Sequence, residues 1–283
     1  MVFGKFYKKR SGKKAVSPAI STVILTGAMV AILSVASGFA NNFLWSRVAE
    51  GEFDSSKQLM QTVGLQIDDV AWTVGRTETI LYASQYGEVV FVPSALTYNV
   101  TVNGESEQYE TGALMFNLPT SRYSITNNYW ERIFPDPDES LTLKGTSAPV
   151  ARVFEVERLP MPDGSYIRVV VAPSIRVLYS SINTSISSTY YIRMYLPVLN
   201  AGEAPRLSQS ITLTGESVNA HTVNEVTSIS VAVAFPSEGS GLDSVFFNFP
   251  GENPEDIPVP SGYDNVVLEL YLSEVSVDFG LNY

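Results

Sequence analysis

The sequence predicts an α+β protein: one long hydrophobic N-terminal helix, then an all-β, sandwich-like domain. Three observations carry that expectation. The first is a run of 32 residues, Ala15–Ser46, without one Asp, Glu, Lys, Arg or His. The second is an apolar repeat at helical spacing just beyond it. The third is a switch, after residue 78, to alternating β-branched and aromatic segments separated by turn residues.

Residues 1–14 form a basic leader, with Lys5, Lys8, Lys9, Arg10, Lys13 and Lys14 and no acid. Residues 15–49 form the hydrophobic helix. At ~1.5 Å per residue its charge-free run reaches ~48 Å, more than the ~30 Å of a bilayer's hydrocarbon core. Basic residues on one flank place the N-terminus in the cytoplasm and the body outside. Ser17 is suited to cap the helix and Pro18 to open it, where a missing N–H costs nothing. Gly27, Ala31, Ser34 and Gly38 recur at spacings of 4, 3 and 4, a small-residue stripe of the kind along which helices approach closely. Asn41, Asn42, Trp45 and Arg47 mark the exit from the apolar zone. Trp45 suits a water interface or a contact with the body.

Residues 50–77 are expected to form an amphipathic neck helix. The polar stretch "EGEFDSSKQ" (50–58) reads as a hinge, so the helical portion runs either in two pieces, 17–49 and about 55–74, or as one bent rod. Leu59, Val63, Ile67, Val70 and Val74 set the buried stripe, and Gly75 the stop.

Residues 78–283 are expected to form the head, as one sandwich or two, with "FPDPDESL" (134–141) the best boundary between subdomains. Strands are expected at 87–92, 96–102, 150–157, 165–172, 174–180, 189–199, 210–215, 227–235, 244–249 and 266–281, with antiparallel pairing. Asn103-Gly104 and Pro162-Asp163-Gly164 supply turns. In the last strand Leu268, Leu270 and Leu272 share one parity and Val275, Val277 and Phe279 the other, which places a bulge or bend at Ser273-Glu274.

Composition narrows the function. The chain carries a net charge of −11, and subtracting the six cations of the leader leaves −17 for the rest. Only Lys57 and Lys144 are lysines beyond residue 14. Such a body repels phosphate backbones, so nucleic acid is not an expected partner. There is no cysteine and one histidine, His221, in the polar setting "NAHTVN". A triad or a zinc site would have to be built around that residue, and an exposed structural role suits it better. Asp68 and Asp69 are adjacent on a helix and diverge. Two acidic loops, with Asp136, Asp138 and Glu139 and with Glu252, Glu255, Asp256 and Asp264, match no defined calcium loop. The expectation is no catalytic residue, no metal and no cofactor. Asn99 and Asn183 head N-glycosylation sequons, which suits an exported head.

Three functions remain for the N-terminal segment. A cleaved secretory signal would use Ser34-Val35-Ala36 or Gly38-Phe39-Ala40, although its apolar core is normally shorter. An uncleaved single-pass anchor fits charge and length. The third follows from "KKAVSPAISTVIL" (13–25), which resembles the N-terminus of archaeal type IV pilins, a class III-type signal region. Ser17 and Pro18 match the family pattern; Ala19 and Ser21 stand where larger apolar residues and glycine are more usual. The resemblance implies that a prepilin-type peptidase cuts between Lys14 and Ala15. It further implies that the helix stays on the subunit and packs with other pilin subunits into a filament core at the cell surface. The rival is a membrane-anchored β domain acting as a binding or adhesion module.

Overall fold

The computed structural model describes residues 18–123, 129–134, 142–144, 151–161, 164–202, 209–236, 241–249 and 253–280. It contains one long helix, α1 (Pro18–Ala71), and a largely β region. Residues 1–48 and 49–283 form two compact units. Lys14, Ala15 and Ser17 lie outside the described residues, as do most of the 134–141 boundary and the Pro162-Asp163 turn.

The helix is unbroken. The stretch expected to hinge, 50–58, is helical, Gly51 included, because nothing in it removes a backbone N–H or forces a left-handed turn. Its buried residues are Ala49, Phe53, Ser56, Met60, Val63, Gly64, Ile67, Val70 and Ala71. The expected stripe is therefore right at Val63, Ile67 and Val70 but starts three turns too late. Leu59 is half-buried, and Val74 lies beyond the helix end and is exposed. Gly75 adopts φ 81° after the helix and donates to Gly215 O at 2.8 Å.

The strands are β1 (Thr77–Leu81), β2 (Glu88–Val102), β3 (Glu105–Pro119), β4 (Trp130–Phe134), β5 (Thr142–Lys144), β6 (Ala151–Met161) and β7 (Gly164–Pro173). They continue as β8 (Ile175–Asn183), β9 (Ser188–Ala201), β10 (Ser210–Val223), β11 (Ile229–Ala234), β12 (Glu255–Ile257) and β13 (Asn265–Phe279). Two curled sheets result. One has the order β1-β10-β13-β9-β8-β5, the other β12-β11-β2-β3-β7-β6-β4. Pairing is mostly antiparallel, with β13–β9 and β5–β8 as parallel exceptions. The 244–249 segment is not a strand. Ser244–Phe247 form a short helix, α2, because Asp243 accepts from Phe246 N–H at 2.8 Å and Asn248 closes it in the left-handed region. Phe246 and Phe247 still bury fully, so the apolar run is core in either geometry.

The two segments expected at 87–92 and 96–102 are one strand. Register with β3 skips between Val92 and Leu96, where Pro93 cannot donate and Ser94 has φ 50°. Asn103 and Gly104, both at positive φ, make the expected two-residue hairpin into β3.

Two apolar cores organise the β region. The first draws on strands of both sheets and holds Tyr98, Val100, Met115, Val170, Met194, Leu268 and Leu270. The second gathers Phe53, Met60, Val63, Ile67 and Val70 of α1 with Phe116, Leu118 and Val169 of one sheet and Leu213, Val275 and Val277 of the other. β13 serves both. Its first half buries even-numbered residues in the first core, its second half odd-numbered ones in the second. The parity change expected at Ser273-Glu274 is thus a change of partner layer. The extra residue sits opposite, in β10, between Gly215 and Ser217.

Candidate functional site: the helix and its hold in the β region

The described part of the helix begins at Pro18, and from Pro18 to Val48 every residue is exposed. Val35 and Phe39 are 75% and 77% exposed, and α1 is the one described helix long and apolar enough to cross a membrane. Gly27, Ala31, Ser34 and Gly38 all lie on this segment. A Cβ added at Gly27 or Gly38 meets nothing within 4 Å, so the stripe has no occupant among the described residues. Thr22 and Thr26 turn their hydroxyls back to Pro18 O and Thr22 O, at 3.1 and 2.9 Å, hiding their polarity within the helix. At the end of the run Arg47 lies over the Phe43 ring at 5.2 Å, and Trp45 is half-exposed.

From Ala49 the helix is tied to the β region at both ends of its buried stretch. Near the start, Glu52 is held by the turn after β1. Gln85 N–H donates to Glu52 Oε1 at 3.1 Å, Gly87 N–H at 2.8 Å, and Tyr86 N–H reaches both carboxylate oxygens at 3.1 Å. The Ser84 hydroxyl donates to the same carboxylate. Consecutive backbone N–H groups converging on one anion make a nest, and charge-assisted bonds of this kind are the strong ones. Lys57 pairs with Glu131 at 3.0 Å and lies over the Phe53 ring, which packs against Tyr123.

At the far end, Ala71 O accepts from the Ser273 hydroxyl, fully buried in β13. Gly215 lets the chain come this close: a Cβ there would stand 2.6 Å from Val70 O. Trp72 donates to Asp68 at 3.3 Å and meets Tyr195 edge-on. Tyr195 stacks on Tyr271 with centroids 4.9 Å apart, and Arg176 covers its ring. One row along, Arg193 donates to Glu269 at 2.6 Å, which holds the guanidinium above its ordinary pKa. Burial pushes the Tyr271 phenol up, with Glu269 adding to the effect. Asp68 and Asp69 diverge as expected, toward Arg176 and Arg76.

The remaining sequence-derived residues scatter. Asn99 sits half-buried in mid-β2 between Gln108 and Ala232, and its Oδ1 is enclosed. Asn183 ends β8, exposed, beside Thr184, whose hydroxyl donates to Ser187 O at 2.8 Å. His221 is exposed on β10. Glu255 accepts from Thr142 N–H and Oγ1, and Asp264 from Ser188 N–H and Oγ; Asp136, Asp138, Glu139 and Glu252 lie outside the described residues. Among the described residues no group of three metal-ligating side chains forms. Sequence reasoning missed Glu52 and its turn. The local sequence offers no signal for it, because its donors lie 32 to 35 residues further along the chain. Neither a protein family, nor a curated protein, nor a solved structure matches this chain.

Proposed function

We propose that the protein is a structural subunit, or minor component, of an archaeal type IV pilus-like surface filament, with α1 as its assembly element and a sandwich-like head. The observation that carries this reading is the segment Pro18–Val48: regular helix, free of charge as far as Ser46, and without a covered residue. Exposed apolar surface on that scale needs lipid or other helices around it. The "KKAVSPAISTVIL" start and the open Gly27–Gly38 stripe favour both in turn: membrane first, other subunits after a prepilin-type peptidase cuts between Lys14 and Ala15. On this reading the N-terminus begins in the cytoplasm, the body stands outside, and the protein works by assembly rather than catalysis, without a cofactor. Asn99 and Asn183 would meet glycosylation machinery on that side, and the exposed Asn183 is the better acceptor.

The test is the N-terminus of the protein recovered from cells. A chain beginning at Ala15 is expected. A start near Asn41 would make the segment a secretory signal, and an intact Met1 would leave a single-pass anchored binding or adhesion module.

A further inference from the structure

Among the described residues, each sheet leaves part of a strand without a neighbour, and the two stretches line the same groove. β1 pairs with Ser210–Thr214 of β10, and the strand then runs from Ser217 to Val223 beside β13 alone among the described residues. In the other sheet β7 pairs with β3 only from Leu114, so Glu105–Glu110 has β2 on one side and no described strand on the other. Every residue of 218–223 is exposed, and the stretch contains neither the proline nor the lysine with which proteins usually blunt such edges. Unpaired N–H and C=O groups in an extended strand are a template for one more strand.

These two open edges flank one groove of about 340 Å³. Its floor is apolar, from Val100 and Val102 on β2 and Leu268 and Leu270 on β13, and His221, Thr222 and Val223 line the β10 side. Ladder pairing places His221 opposite Leu270 and Val223 opposite Leu268, so these two share the face of the floor residues. The β3 side is acidic: Glu105 and Glu107 are exposed there, Tyr109 donates its hydroxyl to Glu107, and among the described residues no Lys or Arg lines the groove. A strand added here would thus set apolar side chains toward the floor and meet negative charge at the rim. Another copy of the body is a poor occupant. Beyond residue 14 the chain has two lysines and a net charge of −17, so like would meet like.

We propose that this groove binds an extended, cationic segment of another protein by strand addition along Ser217–Val223, with its lysine or arginine side chains on Glu105 and Glu107. The site does not depend on the filament reading and stands or falls separately from it.

The test uses the full chain in nonionic detergent and a short peptide alternating valine with lysine. Binding is expected to slow amide exchange at 217–223, and the same peptide with glutamate in place of lysine should bind about tenfold more weakly. Glu105→Lys with Glu107→Lys, both on exposed positions, should invert that preference while the near-ultraviolet circular dichroism stays unchanged. Unchanged exchange at 217–223 under saturating peptide overturns the proposal. So does a double variant that keeps the wild-type preference. Protection of 217–223 that grows with protein concentration and without peptide would overturn it in favour of self-pairing.

Discussion

The two halves of α1 share one backbone geometry and differ in what satisfies them. From Pro18 to Val48 no described residue covers the helix; from Ala49 to Ala71 a residue is buried every third or fourth position. The first half spends its apolar residues on all sides, as a helix surrounded by lipid or by other helices does. The second concentrates them on one face and holds the opposite face with charges such as Asp54 and Asp69. The lesson is that helicity alone says little about role. The distribution of charge around the axis separates a segment completed from outside from one completed by its own fold.

The sharpest way to break the comparison is to fill the stripe. If the filament reading holds, Gly27→Leu with Gly38→Leu should abolish filaments while the thermal midpoint of the β region stays within error, because a Cβ at either position meets nothing within 4 Å among the described residues. Filaments of normal length and number would show that the stripe is not the packing face.

A matched pair of charges probes each half next. Ile67 is fully buried and Ile32 is 67% exposed. Ile67→Asp should cost about 4 kcal/mol or more in urea unfolding of the detergent-solubilised chain, since an unpaired carboxylate would enter the second core. Ile32→Asp should leave that unfolding curve in place and reduce membrane insertion instead. Equal losses from the two would erase the distinction.

Smaller, and confined to the second half, is the Glu52 nest. Glu52→Gln keeps the shape but removes the charge from a site with converging N–H donors. It should destabilise by about 1–3 kcal/mol and speed amide exchange at 85–87. Exchange at those amides equal to wild type would mean the turn holds itself.

Legibility in the sequence follows the range of the interaction. The charge-free run, the Val63-Ile67-Val70 stripe and the Asn103-Gly104 hairpin are set by neighbours within a turn or two, and all three are readable. So is the parity change in β13, although its cause is not. Leu268 and Val275 face different cores because the strand passes from one layer to another, and layers are assembled from residues far apart in the chain. The same distance hides the parallel β9–β13 pair, in which Thr189 meets Asn265. It hides Glu52 as well, whose donors lie 32 to 35 residues on. Phe246-Phe247 misled because a buried apolar pair suits strand and helix alike, and only the Asp243 cap decides between them. The end of the first helical half at Val48 was nearly legible, since charge returns at Arg47.

The smallest expected effect tests how the parallel pair begins. Asp264, one residue before β13, accepts from Ser188 N–H at 2.7 Å and from Ser188 Oγ at 3.0 Å, and returns its own N–H to Ser188 O at 3.0 Å. The Ser188 backbone N–H, and then the hydroxyl, hold the Asp264 carboxyl below its ordinary value of 3.8. A carboxyl whose folded pKa is depressed contributes stability above its unfolded pKa and loses it as pH falls through the folded value. Wild type should therefore exceed Asp264→Asn in urea midpoint at neutral pH, and the gap should close as the solution is acidified below the ordinary aspartate range. The side chain is exposed, so the gap is small, and its pH dependence is the telling quantity rather than its size. A gap of constant width from neutral pH into strong acid would assign the contact to side-chain shape instead of charge. The start of the β9–β13 ladder would then rest on backbone pairing alone.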